Sequence, residues 1–539
     1  MRRILRSILC VSVLVAVSAL DAQEPISPRQ AIVRGPYLQI GTPTSVIVRW
    51  RTLVASSSVV LIGDRPFPLV QVFEVPGETT EHEVQVSGLS PGTCYYYAIA
   101  DEEGLLEAGS DFVFTTAPEV GSRGKTRIWV IGDSGTGDHR AAAVRDAYYQ
   151  FSAGAPTDVW LMLGDNAYNS GTDVEHQRAV FDMYPELLRS VVAWPTFGNH
   201  EGYSSNPLAE EGFYFDIFSL PTQGEAGGVA SGTESYYSFD YANIHFICLE
   251  SDANSIVAET AMWDWLREDC ADTTQEWIIG YWHHPPYSRG SHNSDIERQL
   301  IAMREIAVPI LEDAGVDLVL AGHSHSYERS RLLHGHYGFS DSLLPGMFLG
   351  CGDGRVSGSG AYVKTTTGES AGDGAVYMVA GTSGGQFGGG RLDHPVMFFS
   401  TLEHGSVVLD VEGARLDMKF LTRSGDVLDE FTLLKEAERE SVESCTKVDF
   451  VRGDANDDGS IDISDAIWIA SELFDGFGLG GCHAASDASD DGSVDISDAV
   501  TVVQRLFEGA PPLAPPYPDC GADETLDGLS CVTYGHCIP

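Results

Sequence analysis

Between residues 125 and 435, five apolar runs end in short polar turns, and every turn carries a residue able to bind a metal ion. The turns are Gly132-Asp133-Ser134-Gly135, Gly164-Asp165-Asn166-Ala167-Tyr168, Gly198-Asn199-His200-Glu201, Trp282-His283-His284-Pro285 and Gly322-His323-Ser324-His325. The runs at 127–132, 159–164 and 317–322 read as strands, and 141–151 and 296–314 as helices between them. This alternation is an α/β pattern, in which loops at strand C-termini carry the chemistry. A glycine ahead of a ligand lets the chain leave its strand sharply and approach the metal closely. Carboxylate, phenol, amide oxygen and imidazole donors together suit iron, zinc or manganese. Singly the motifs are ambiguous, since an Asp after a strand is more often a helix cap. Five in one order at strand ends point to a metal site of Asp133, Asp165, Tyr168, Asn199, His283, His323 and His325.

The chain of 539 residues is too long for one core, so several domains are expected. Residues 30–118 read as an all-β sandwich, with alternating runs at 45–51, 59–62 and 82–86. Leu89-Ser90-Pro91-Gly92-Thr93-Cys94-Tyr95 has the form of a tyrosine corner. With Trp50 in an early strand, this segment resembles a fibronectin type III domain. Arg2, Arg3 and Arg6 precede an apolar run at 8–20, so 1–22 reads as an export signal, cut after Ala19 or Ala22. No later stretch is apolar enough for a transmembrane anchor, and a secreted, periplasmic or cell-surface location follows. Beyond Cys10, nine cysteines remain. Cys445, Cys482, Cys520, Cys531 and Cys537 crowd the C-terminal region, where disulfides are expected in an exported protein. Their pairing is unreadable; no CxxC pair exists to favour zinc.

Residues 450–510 contain a duplication with an offset of 33 residues, followed by a Pro/Cys-rich tail at 511–539. The first copy offers Asp454, Asn456, Asp458, Ser460, Asp462 and Asp465; the second offers Asp487, Ser489, Asp491, Ser493, Asp495 and Asp498. Gly459 and Gly492 occupy the sixth position, where a calcium loop turns sharply, although position twelve is Asp rather than Glu. Short helices are expected at 466–474 and 499–507. This module resembles a type I dockerin, which implies calcium binding and docking onto a cohesin-like protein. An acidic disordered linker fits the composition but not the repeated spacing.

The order of the five metal motifs resembles the calcineurin-like metallophosphoesterases, and within them the purple acid phosphatases. Most of that superfamily opens with Asp-x-His; here the third position is Gly135, and Tyr168 matches the tyrosinate ligand of the purple enzymes. The fold class expected is therefore multidomain: the N-terminal all-β sandwich, a central α/β metallophosphoesterase domain at 125–435 (a sheet sandwich flanked by helices), and the small α calcium-binding module. The resemblance implies that Asp133, Asp165, Tyr168 and His325 hold a ferric ion. It also implies that Asp165, Asn199, His283 and His323 hold a divalent zinc, manganese or iron. His200 and His292 would face the substrate, with His200 as general acid; Glu201 and His284 sit beside ligands.

A net charge of −46 argues against a nucleic-acid partner and would also repel phosphate esters, so metal ions are the natural source of local positive charge. The implied activity is acid phosphatase, hydrolysing phosphate monoesters by attack of metal-bound hydroxide. A metallophosphodiesterase or nucleotidase on the same scaffold is the alternative, and an adhesion protein with a decayed enzyme core a third reading. The segment 335–374 and the loop Gly381-Thr382-Ser383-Gly384-Gly385 carry no readable specificity, and neither substrate nor oligomeric state is legible.

Overall fold

The computed structural model describes residues 32–253, 261–349, 352–367, 371–385, 390–436, 449–475, 482–522, 525, 529, 531, 534 and 536–537. The expected leader and Cys445 lie outside the described residues.

Strands β1 (Ile32–Gln39), β2 (Ser45–Gly63), β3 (Gln71–Ser87), β4 (Cys94–Asp101) and β5 (Gly104–Thr115) pair in the order β1-β2-β4-β5, with β3 also on β2. The two runs expected at 45–51 and 59–62 belong to the single strand β2. Its register breaks around Ser56, so the first half pairs with β1 and the second with β4. One strand thus serves both layers of the sandwich, a role bulges commonly play. Trp50, Val60, Ile62, Val84 and Ile99 fill the core. Trp50 stacks on the His82 ring at 4.6 Å, and both nitrogens of His82 bond to the hydroxyls of Thr52 and Ser58. The tyrosine corner is present: the Tyr95 hydroxyl accepts the Ser90 N–H at 3.0 Å.

The central domain contains β6 (Thr126–Ile131), β7 (Val159–Met162), β8 (Ala193–Pro195), the short pair β9 (Ser205–Asn206) and β10 (Glu211–Gly212), β11 (Tyr237–Tyr241), β12 (Ile244–Cys248), β13 (Trp277–Trp282), β14 (Leu318–Ala321), β15 (Tyr327–Ser330), β16 (Tyr362–Thr365), β17 (Val376–Ala380), β18 (Met397–Thr401), β19 (Gly405–Glu412), β20 (Arg415–Thr422) and β21 (Val427–Glu436). Two seven-stranded sheets result, in the orders β16-β21-β20-β19-β6-β7-β8 and β11-β12-β13-β14-β17-β15-β18. Strands β6 to β8 run parallel, as do β12, β13, β14 and β17. Val130, Leu161, Phe246, Ile279 and Leu320 belong to one shared core between the sheets. Helix His139–Phe151 covers the first sheet, stacking Tyr148 on Trp129 at 4.3 Å. Helix Ala261–Asp272 and the helical run from Arg298 to Asp313 cover the second, through Trp263, Leu266, Met303 and Leu311. Covered on both faces, strands such as β7 and β14 are apolar throughout. The helix expected at 296–314 is interrupted by a wider turn at Met303–Ala307. Pro309 follows it, has no N–H to give, and would clash with the carbonyl four residues back in a regular helix.

In the C-terminal module, helices Ile463–Asp475 and Ile496–Phe507 pack through Ala466, Ile469, Ala499 and Val502. The tail, expected as a separate segment, folds back onto this module. Phe450 and Gly521 exchange backbone hydrogen bonds of 3.0 and 3.1 Å, and disulfides join Cys482 to Cys531 and Cys520 to Cys537.

The N-terminal sandwich docks on the central domain through arginines. Arg34, fully buried, donates to Asp173 at 2.8 Å and Gln177 at 2.9 Å and lies 4.1 Å over the Phe181 ring. Arg51 takes the second Asp173 oxygen at 2.6 Å, and Arg49 donates to the carbonyls of Asp216 and Ile217. Burial opposes the charge of Asp173, but the bonds from Arg51 and Arg34 hold its carboxyl below the usual range. Its contribution is therefore complete above about pH 4 and is lost as pH falls through the depressed pKa. Asp173→Ala leaves a buried guanidinium without its carboxylate. It is expected to destabilise the docked state by about 3 kcal/mol, seen as an earlier urea transition of the sandwich. An unchanged urea profile would remove this ion pair as the anchor.

Candidate metal centre

The five ligand-bearing loops follow β6, β7, β8, β13 and β14, and their side chains converge at one edge of the two sheets. Backbone contacts bring them together. Gly135 N–H donates to the Asp165 carbonyl at 3.0 Å, and Tyr168 N–H to the Gly135 carbonyl at 2.9 Å. A Cβ at Gly135 would lie 2.4 Å from the Ala167 nitrogen, so no side chain fits at this position. A Cβ at Gly164 would lie 2.6 Å from His283 Nδ1. The glycines thus let loops pack on one another, which sharpens the sequence argument about approach to a metal. Asp133, Asp165 and His323 have φ of 54°, 51° and 65°, a left-handed backbone unusual for residues with a side chain.

The seven expected ligands fall into two overlapping groups. In one, the Tyr168 hydroxyl lies 3.0 Å from Asp133 Oδ1 and 3.0 Å from His325 Nε2. In the other, Asn199 Oδ1 lies 3.0 Å from His283 Nε2 and 3.0 Å from His323 Nδ1. Asp165 joins them: its Oδ1 is 3.4 Å from His283 Nε2, and donor atoms of Asp133, Asp165 and His283 all lie within 4.8 Å of one another. His283, His284 and His323 form a second such cluster, and His292, Glu297 and His323 a third. Among the described residues neither Asp133 nor Asp165 pairs with a Lys or Arg; the basic side chains within 4.0 Å of them are histidines.

The electrostatics fit cation binding. Burial, and then the Asp133 and Asp165 carboxylates, push the Tyr168 phenol well above its ordinary pKa; a phenolate there needs compensating positive charge. Burial above all, with the fields of His283 and His292, lowers His323 to about 4, which keeps the neutral imidazole that metals bind. His283 Nδ1–H donates to the Leu163 carbonyl at 2.8 Å, which aims Nε2 at the centre. The donor set therefore suits a pair of hard to borderline metal ions.

His200 sits at the rim. Its Nδ1–H donates to the Asn169 carbonyl at 2.6 Å, and Nε2 stands 3.8 Å from Asp165 Oδ2. His292 lies against the His323 ring, with centroids 3.7 Å apart, and donates from Nδ1 to Glu297 at 2.8 Å. Glu297 was not visible as a site residue in the sequence; it is 3.7 Å from His323 Nε2 and so ties both histidines together. Its only sequence signal is its place five residues after His292. Ser291, whose hydroxyl takes the His325 N–H at 2.9 Å, was missed for the same reason. His284 is buried with Nδ1 on the Ser251 hydroxyl at 2.9 Å.

The duplicated loops share one set of backbone-to-carboxylate hydrogen bonds. Asp454 accepts Gly459 N–H at 3.0 Å, and Asp487 accepts Gly492 N–H at 3.0 Å. Asp465 accepts from Asn456 and Asp462, and Asp498 from Ser489 and Asp495. Asp458 and Asp491 take the N–H of Ser460 and Ser493. Both glycines have φ of 83°. Burial pushes Asp465 and Asp498 up to about 6.

Comparison with known proteins agrees with this architecture. The calcineurin-like phosphoesterase family model matches residues 126–327, and that of the purple acid phosphatase N-terminal domain matches 33–116. Purple acid phosphatase 15 of Arabidopsis thaliana is 25% identical over 276 residues, 47% of this chain and 50% of its own length. A phosphoenolpyruvate phosphatase of Allium cepa is 29% identical over 333 residues, 56% of this chain and 63% of its own. The chain spans half to somewhat under two thirds of the length of these curated relatives. A purple acid phosphatase from yellow lupin (Lupinus luteus) seeds shares the fold with a TM-score of 0.55 at 16% identity, covering 75% of each chain. PhoD does so with 0.52 at 14% identity, covering 75% of this chain and 90% of its own. The chain therefore carries a purple acid phosphatase N-terminal domain followed by a calcineurin-like metallophosphoesterase domain.

Proposed function

We propose that the chain is an exported acid phosphatase that hydrolyses phosphate monoesters at a dinuclear Fe(III)–M(II) centre, M being zinc, manganese or iron. The division of the seven donors into two groups sharing Asp165 carries this reading. Asp133, Tyr168 and His325 would hold the ferric ion, Asn199, His283 and His323 the divalent one, with Asp165 between them. Bound metals would supply the charge that neutralises phosphate and activates water. The chain's own residues do the rest. The Leu163 carbonyl fixes the His283 tautomer, Glu297 orients His292 toward an incoming ester, and the Asn169 carbonyl fixes His200 so that its Nε2, once protonated, donates to the leaving alkoxide. The two disulfides of the C-terminal module support export, since such bonds persist in oxidising compartments. No helix among the described residues is long and apolar enough to cross a membrane.

The duplicated loops are proposed to bind calcium, which would relieve the crowding of carboxylates around Asp465 and Asp498. An apolar groove between the two helices, lined by Ile463, Ile467, Phe474, Val500 and Val503, supports docking of a cohesin-like partner. Phe474 is 75% and Ile467 59% exposed there.

Three outcomes are expected. Metal-loaded protein shows a visible tyrosinate–iron absorption band, and Tyr168→Phe abolishes the band in a folded protein. A colourless, iron-free protein that cleaves diesters would instead favour the metallophosphodiesterase reading. His200→Ala lowers kcat by roughly 10²-fold or more for alkyl phosphates but far less for activated aryl phosphates; equal losses would remove it as the general acid. Chelation with EDTA reversibly reduces the helical circular dichroism of the C-terminal module, and a spectrum indifferent to calcium would exclude the calcium assignment.

A further inference from the structure

The two copies of the duplicated loop are built alike but are braced by different parts of the chain. The buried Arg452 braces the second copy. Its Nη1 donates to the Asp487 carbonyl at 2.8 Å, and its Nη2 pairs with Asp490 at 2.9 Å. The offset of 33 residues makes Asp454 and Asp457 the equivalents of Asp487 and Asp490, and it places Ala485 where the first copy has Arg452. The first copy is braced at those equivalent positions by the Pro/Cys-rich tail. The hydroxyl of Tyr534, a buried residue, donates to Asp454 Oδ2 and lies 3.4 Å from the Asp454 carbonyl. The His536 N–H donates to Asp457 Oδ1 at 2.9 Å, and a Cβ at Gly459 would lie 2.4 Å from the His536 ring. Disulfides flank both residues, Cys531 being bonded to Cys482 and Cys537 to Cys520. The Tyr534 ring also packs into the small core of Phe450, Ala484 and Ala485, which fixes where its hydroxyl points.

The oxygen that Tyr534 takes decides what the contact does. In both copies Oδ2 of the first Asp accepts the glycine N–H, Asp454 from Gly459 and Asp487 from Gly492. Oδ1 accepts the N–H of Asp458 at 3.2 Å in one copy and of Asp491 at 3.3 Å in the other. Tyr534 thus adds a second donor to the oxygen already turned toward the glycine. A hydroxyl on Oδ1 would compete with a cation; one on Oδ2 holds the carboxylate in a single orientation and leaves Oδ1 to the cation. Outer partners of this kind raise the metal affinity of the ligand they orient. Given the calcium binding proposed for these loops, we infer that Tyr534 is a positioning residue of the first loop, and that calcium affinity there depends on the Cys520–Cys537 disulfide beside it. The second loop, braced by Arg452, does not share this dependence. The first loop therefore reaches full affinity only after the tail has been oxidised, as happens in the compartments where disulfides persist.

The test uses the full-length protein with its metal centre loaded and calcium removed. Calorimetric calcium titrations read one loop at a time, because Asp491→Ala silences the second loop and Asp458→Ala the first. With the second loop silenced, Tyr534→Phe, which keeps the ring in its core, is expected to raise the calcium Kd about tenfold or more. The paired change Cys520→Ser with Cys537→Ser is expected to act in the same direction. With the first loop silenced, neither change should move the Kd. Helical circular dichroism in saturating calcium checks that each variant is folded; should Tyr534→Phe not fold, the disulfide-free variant decides. A first-loop Kd unmoved in the folded variants overturns the proposal. So do equal losses at both loops, which would mark a general weakening of the module. A parent protein that takes up no calcium would instead end the calcium reading itself, and this inference with it.

Discussion

The side chains of the candidate metal centre depend on one buried carboxylate. Glu201 accepts the N–H groups of Asp165, Asn166, Ala167 and Gly198 at 3.0, 2.9, 3.1 and 2.9 Å. These donors belong to the loops after β7 and β8, so one side chain holds both in register. Without it, four backbone N–H groups would be orphaned in the interior, each at roughly 1–3 kcal/mol. The loop after β6 is tied to the same assembly through Gly135. Asp133, Asp165, Tyr168 and Asn199 are therefore placed by backbone hydrogen bonds that do not involve a cation. Such preorganisation is what a precise metal site needs from its supporting residues.

The left-handed backbone at Asp133, Asp165 and His323 follows from that assembly. Each of these conformations costs about 1 kcal/mol or more. Each is also over-determined by its surroundings. Asp133 accepts the His323 N–H at 2.8 Å, Asp165 accepts the His200 N–H at 2.9 Å, and glycine precedes all three. Three of the nine non-glycine positions with positive φ among the described residues fall at candidate ligands, which fits a site whose geometry is imposed by the whole sandwich.

Much of this was legible because it is local. Strand ends, glycine-led turns, the tyrosine corner at Tyr95 and the repeat around Asp454 and Asp487 each occupy a few consecutive residues. Their place in the fold follows from spacing, and the roles of the individual residues from the resemblance those motifs carry. What escaped sequence reading is nonlocal. The continuity of β2 through Ser56 depends on pairing with three partners. The folding back of the tail depends on disulfides whose pairing spacing does not encode. Glu297 acquires its role only where the end of one loop meets His323 from another.

Charge links these levels. The chain carries −46 overall, and the candidate metal centre adds Asp133 and Asp165, which among the described residues have no Lys or Arg pairing with them. A phosphate ester approaching such a surface meets repulsion at long range, partly screened by salt, and again at the site. Histidines cannot reverse this alone, because burial holds His323 and His284 neutral. A pair of highly charged cations at the sheet edge changes the sign of the local field while leaving the acidic exterior intact. The acidic surface and the cation-seeking edge are thus compatible parts of one design. The negative donors that would bind metal must be collected where water is excluded, and the fold achieves this by directing five loops to a single edge.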